Sequence, residues 1–168
     1  MKRLISAALL LAFVLTGCAG KKEEQPPTPE ERAQLYETAI TGARDEETNQ
    51  ALPPITSAED DRAGMVFAML GVTPGDMTAY ALSVSLMNVR AYAVAAIYPA
   101  AGKEDTVLEA LRAFVDSQKQ SFEQYLADQY EIAVNARVET LEDGTVLLVM
   151  SESQVSVFDA IRDTIETG

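Results

Sequence analysis

Most hydrolytic and group-transfer chemistry needs a nucleophile, a base and a group to orient them, and this chain offers few candidates. Its 168 residues contain no histidine and one cysteine, Cys18. Ser-His-Asp and Cys-His arrangements and histidine-based zinc sites are thereby excluded. Gly71 to Gly75 lacks the Gly-Lys-Ser/Thr ending of a phosphate-binding loop, and neither G-x-S-x-G nor G-x-G-x-x-G occurs. Carboxylates remain, since glycoside hydrolysis needs only two acids at a set separation. Glu59-Asp60-Asp61 falls where a helix is expected to begin, a place that favours acids for the positive end of the dipole. Glu142-Asp143-Gly144 lacks the alternating acids of an EF-hand loop and reads as a turn. No catalytic residue, metal ligand or cofactor is assigned, and no enzymatic activity is expected.

A second kind of chemistry is recognition. Arg90 beside Asn88, at a strand end, suits either an anion or an ion pair with one of the many acids. Tyr80, Tyr92 and Tyr98 occupy even positions on two adjacent predicted strands and are expected on one sheet face. There they form either an aromatic platform for stacking a glycan or peptide, or the rim of a core under helices. Asn88, Arg90, Tyr80, Tyr92 and Tyr98 are therefore the candidate binding surface.

Cys18 has a different reading. Lys2 and Arg3 form a basic start, and Leu4 to Leu15 is an almost wholly apolar run of about a dozen residues. The run is too short to cross a bilayer core as a helix, which takes about 20 residues. Leu15-Thr16-Gly17-Cys18 resembles the lipobox of bacterial lipoproteins, with cleavage expected before the cysteine and lipid on its sulfur. A thiolate is the strongest side-chain nucleophile near neutral pH and can accept such a group. Two or more acyl chains on one residue meet the two-signal requirement for stable anchoring. Residues 1–17 are thus read as a lipoprotein signal peptide, with Cys18 anchoring the chain on the outer face of the cell membrane.

Removing 17 residues and two positive charges leaves 11 basic against 26 acidic side chains, hence a mature net charge of −15. Such a chain does not bind nucleic acid or an anionic lipid surface through bulk charge. With no cysteine beyond position 18, no disulfide framework can form.

Several elements must position the candidate residues. Residues 18–56 read as a Pro- and charge-rich tether, about 35 Å in root-mean-square length if flexible throughout. Within it, a short helix over 30–40 is expected, with Thr28 as a cap and Leu35, Tyr36, Ala39 and Ile40 on one side. The folded domain is placed at 57–168. It begins with a Ser57-x-x-Asp60 capping box and a helix to Leu70, ended by Gly71 and Pro74. Alternation predicts strands over Ala79 to Leu86 and Ala91 to Tyr98, and helical spacing predicts one long helix from Glu104 to Ala127. Val134 to Thr140 and the two-sidedly apolar Thr145 to Met150 read as strands joined at Asp143-Gly144, followed by a helix over Ser153 to Glu166. The order α-β-β-α-β-β-α predicts an α+β fold, an antiparallel four-stranded sheet with helices packed on one face.

On these residues the chain resembles a family of uncharacterised bacterial lipoproteins, domain of unknown function 4358. The resemblance rests on Leu52-Pro53 before an acidic helix, Gly71-Val72-Thr73-Pro74-Gly75-Asp76, Met87-Asn88-Val89-Arg90-Ala91, and Gln118 to Tyr130 with Ser121-Phe122-x-x-Tyr125. It implies an envelope location and a domain from about Leu52 onward, and implies no catalytic residues. The expected role is a membrane-anchored, non-enzymatic binding or accessory module. Its partner would be an envelope protein or cell-wall ligand, met by the open sheet face or a groove near Asn88 and Arg90. The alternative is a carboxylate-dependent hydrolase of wall glycan.

Overall fold

The computed structural model describes residues 26–168. The expected signal peptide, Cys18 and the first residues of the expected tether lie outside that span. Helix α1, Pro29–Gly42, starts in a reciprocal cap: the Thr28 hydroxyl accepts from the Glu31 N–H at 3.2 Å, and the Glu31 carboxylate accepts from the Thr28 N–H at 2.8 Å. Pro29 at the first helical position has no N–H to leave unsatisfied. Helix α2, Glu46–Ala51, is capped by Asp45.

Helix α3, Ala63–Leu70, begins later than the Ser57-Asp60 pattern predicts. The Ser57 hydroxyl accepts from Glu59 N–H, two residues on, and the Asp60 carboxylate accepts from the Arg62 N–H and pairs with its guanidinium. These local bonds satisfy the polar groups in a turn and take the place of the cap. Gly71 ends α3 at φ 72°, where a Cβ would be strained, as its sequence position predicts.

Thr73 to Asp76 closes a second reciprocal turn, with Thr73 N–H and hydroxyl both donating to the Asp76 carboxylate. Strands β1, Met77–Val84, and β2, Ala93–Pro99, form an antiparallel hairpin. The predicted long helix is instead two, α4 over Glu104–Phe122 and α5 over Ala127–Val134, broken where Leu126 leaves helical geometry at ψ 77°. Strands β3, Arg137–Thr140, and β4, Val146–Met150, pair through the Asp143-Gly144 turn, with Gly144 at φ 91°. Helix α6, Gln154–Thr167, completes the chain. The sheet order is β1-β2-β4-β3, antiparallel throughout, so the predicted α+β class and four-stranded sheet hold.

Helices cover both faces of the sheet, which corrects the one-faced expectation. On one side Leu82, Val84, Ala95, Ile97, Leu148 and Met150 pack with α3, α4 and α5. On the other, Ala79, Ala81, Val94, Ala96, Leu147 and Val149 pack with α1 and α6. The alanines of β1 and β2 are what let α1 lie close, since Tyr36 and Ile40 are fully buried there.

The described part of the expected tether is therefore part of the folded body. Tyr36 Oη lies 2.6 Å from Thr145 Oγ1, which itself donates to Asp143 at 2.8 Å, so the tyrosine is the donor in that pair. Arg32 closes the link by donating to the same Asp143 carboxylate at 2.8 Å. Burial pushes the Tyr36 phenol up from its ordinary value. The loop after α2 also docks: Ile55 exchanges both backbone hydrogen bonds with Leu82 and covers part of the β1 edge.

Two measurements check this architecture. Ile40→Ala removes a fully buried side chain and is expected to cost about 2 to 5 kcal/mol in urea unfolding, whereas a residue in a free tether would cost nothing. The second concerns Asp76, held down from 3.8 to about 2 by the Thr73 hydroxyl first, then Lys103 and the Thr73 N–H. The folded state binds this proton less tightly than the unfolded chain. Its contribution to stability is complete above the ordinary carboxylate value and is lost as pH falls through about 2. Asp76→Asn is expected to lower stability at neutral pH and flatten the acid limb of a stability-against-pH curve.

Candidate functional site

The segment between β1 and β2 is built to hold a turn at one end of the sheet. Ser85 N–H donates to the Tyr92 carbonyl, the Ser85 hydroxyl accepts from Met87 N–H, and Arg90 N–H reaches the Met87 carbonyl. Helix α5 fixes the turn from the side, because Gln129 Oε1 accepts the Ala91 N–H at 2.8 Å. At the same end, Ala93 pairs with Met150, so the first residue of β2 meets the last residue of β4. Ser151 then leads into α6.

Between this turn, α5, the start of α6 and the junction of α1 with α2 lies a cleft of about 660 Å³. Arg44, Arg90, Tyr92, Gln129, Ser151 and Ser153 are among the residues lining it. Ile132 and Val157 supply apolar wall, and Met87 and Val89 are more than half exposed on the turn beside it.

Arg44 and Arg90 play different parts. Arg44 Nη1 donates to Ser83 Oγ and to Tyr92 Oη, each at 2.7 Å, Nη2 donates to the Leu52 carbonyl at 2.8 Å, and Nε donates to Asn49 at 2.7 Å. It therefore ties the junction of α1 and α2 to β1 and to the residue that leads into β2. Arg90 lies over the Tyr92 ring at 5.3 Å, and among the described residues its guanidinium has no hydrogen-bond or ion-pair partner.

That exception stands out against the charge balance. Residues 26–168 carry nine basic side chains. Arg32, Arg62, Lys103, Lys119, Arg137 and Arg162 are in ion pairs. Of the remaining three, Arg112 is exposed on α4, and Arg44 and Arg90 line the cleft.

The tyrosines are not brought together as expected. Tyr80 pairs with Ile97 and Tyr98 with Ala79, so even positions on β1 share a face with odd positions on β2. Tyr80 consequently sits on the α3 side, edge-on to Phe67 at 5.5 Å between ring centroids. Tyr92 and Tyr98 lie on the α1 side, where Arg32 stacks on Tyr98 at 3.8 Å. With both faces covered, there is no open aromatic platform on the sheet. Asn88 is exposed on the same turn as Arg90.

Two of the acid groups singled out in the sequence, Asp60 and Asp143, serve local structure. Asp60 binds Arg62, and Asp143 holds Arg32 and Thr145. A glycosidase acid needs a carboxyl that keeps its proton near neutral pH. Here Asp45, Asp60, Asp76 and Asp128 are all displaced the other way, by hydrogen bonds from the Thr48 N–H, Arg62, Thr73 and Gln129 respectively. Among the described residues no group of three acids, histidines or cysteines could hold a metal ion, and no helix is long and apolar enough to cross a membrane.

Residues 55–151 match the family described as Domain of unknown function (DUF4358). The matched span begins at the Ile55 bridge and ends at Ser151, so it holds Arg90, Tyr92, Gln129 and Ser151, while Arg44 and α6 lie outside it. No curated protein and no solved structure matches the chain.

The two arginines should separate by their effect on stability. Arg44→Ala leaves Tyr92 Oη and Asn49 Oδ1 without the guanidinium, while Ser83 Oγ still donates to the Leu52 carbonyl at 2.6 Å, and it is expected to cost about 2 to 3 kcal/mol. Arg90→Ala loses only a stacking contact and should cost about 1 kcal/mol or less. Urea denaturation of the two variants gives the comparison directly.

Proposed function

The chain belongs to the DUF4358 family, and on that footing we propose that it is a lipid-anchored, extracytoplasmic binding or accessory module whose working surface is the cleft beside Arg90. The observation that carries this reading is an unpaired guanidinium in a sizeable cleft of a strongly acidic protein, where every other cation among the described residues, except exposed Arg112, is engaged within the fold. A guanidinium kept free amid such an excess of carboxylates is a group available for a ligand.

Anchoring is read from the Leu15-Thr16-Gly17-Cys18 pattern, which would place a diacylated Cys18 at the outer leaflet of the cell membrane. Since α1 begins at Pro29 and is packed on the sheet, only about ten residues separate Cys18 from the folded body. An extended chain of that length spans at most about 35 Å. The folded body would thus be joined to the membrane by a short link at the end of α1 that Arg32 fastens to the β3–β4 turn, with the cleft at the other end of α1, where it meets α2. The ligand expected there is an envelope protein or a cell-wall component.

The test uses the mature chain with Cys18→Ser, immobilised through its N-terminus and exposed to solubilised envelope and to wall fragments. A species retained by this protein and lost on Arg90→Ala, but not on Tyr80→Phe, is the expected result. Retention of nothing, or of species indifferent to Arg90→Ala, would remove the cleft from consideration. In parallel, the Cys18→Ser chain expressed in the native host should leave the membrane fraction. If it stays there, lipid on Cys18 is not what holds the protein.

A further inference from the structure

The cleft carries information about the chemistry of what enters it. Three observations bear on this independently of one another. Arg90 presents a guanidinium with all of its donors uncommitted among the described residues. Helix α6, 14 residues long, begins at the cleft, and Ser153 at its N-cap makes no capping bond, so its first-turn N–H groups have no side-chain acceptor. Ser151 is only 7% exposed, lines the same cleft, and its Oγ is the one buried side-chain polar atom among the described residues without a hydrogen-bond partner. A buried hydroxyl left unpaired is costly and marks a place where a ligand atom can complete it.

We infer that the cleft takes a small molecule bearing a carboxylate on an apolar body, its carboxylate received by Arg90 and the uncapped first turn of α6 beside Ser151. The inference rests on the reading of this cleft as the binding site and adds the ligand class. The donors require an oxygen anion, because a guanidinium fork and helix N–H groups match two acceptor oxygens in a plane. One uncommitted guanidinium and a helix terminus worth about half a charge suit a single negative charge. A phosphate dianion is less well matched, with Asp45 and Glu152 also lining the cleft and a strongly acidic chain around it.

The remainder of the ligand is set by the walls. A bare carboxylate would occupy little of about 660 Å³. Ile132 and Val157 line the space, and Met87 and Val89 are exposed apolar side chains on the turn that also lines it. Exposed apolar residues gathered beside a concave site favour an apolar body on the ligand.

The experiment is an NMR titration of the mature Cys18→Ser chain with hexanoate, hexanol and inorganic phosphate as separate probes, following backbone amides. Hexanoate should produce saturable shifts at Arg90, Ser151 and Gln154 to Ser156. Its dissociation constant should rise about tenfold or more in Arg90→Gln and in Ser151→Val, and remain unchanged in Arg112→Ala, which removes the same charge from a distant surface. Arg90→Gln and Ser151→Val guard each other against a folding defect, with the amide spectrum of each free variant as the check.

Three outcomes would overturn the inference: no saturable shift with hexanoate at tens of millimolar, hexanol binding as well as hexanoate, or phosphate binding the same amides more tightly. If capture from envelope still depends on Arg90 while hexanoate fails, the ligand class is wrong and the cleft stands. If both fail, the cleft itself is not the site.

Discussion

Strand β4 buries all five of its residues and β2 six of its seven, so the middle of the sheet is apolar on both sides. A sheet of this kind cannot leave either face to water, because each buried aliphatic side chain is worth about 1.5 to 3 kcal/mol relative to exposure. The chain must supply two covers. Helices α3, α4 and α5 provide one, and α1 with α6 provide the other. Helix α1 can act as a cover only because alanines at 79, 81 and 96 leave room for it, and because Arg32 and Tyr36 fasten it to the β3–β4 turn.

The second cover also creates the site. Once α1 is laid against β1 and α6, its junction with α2 brings Arg44 to Ser83 and Tyr92, and this forms one side of the cleft. The start of α6 and the β1–β2 turn form the others. The residues that build the cleft thus come from segments that also seal the core, and the family match covers only part of them. Arg44 stabilises this corner, whereas Arg90 is held in place by backbone bonds to its turn and leaves its side chain uncommitted.

Much of the fold was legible in the sequence. Alternation found three of the four strands and two-sided apolarity the fourth, Asp143-Gly144 found the second hairpin, and Gly71 marked the end of α3. The two-sided apolar character of Thr145 to Met150 already indicated that both faces are buried, but the helices counted within the expected domain sufficed for only one side. The missing cover lay in residues whose prolines and charges resemble a linker, and whose buried stripe, Tyr36, Ala39 and Ile40, is narrow. The break between α4 and α5 carries no proline or glycine, so local sequence gave no sign of it. The tyrosine platform failed for a simpler reason. Strand register decides which positions share a face, and position parity within each strand does not reveal the register. Arg90 was singled out because it sits at a strand end, and Tyr92 because it shares position parity with Tyr80 and Tyr98. Arg44 was missed because its bonds to Ser83 and Tyr92 cross more than 35 residues of chain, and Ser151 because its burial beside the cleft arises only in the fold.

The central claim is that this protein meets its ligand at the end of the sheet where β2 begins and β4 ends. Hydrogen exchange on the full chain as its host produces it, compared between native envelope vesicles and detergent, addresses it whatever the identity of the ligand. Slowed exchange confined to residues 87–92 and 151–157 in the envelope is the result expected. Slowed exchange on α3 and α4 with those two segments unchanged would contradict it, and would move the working surface to the opposite side of the sheet.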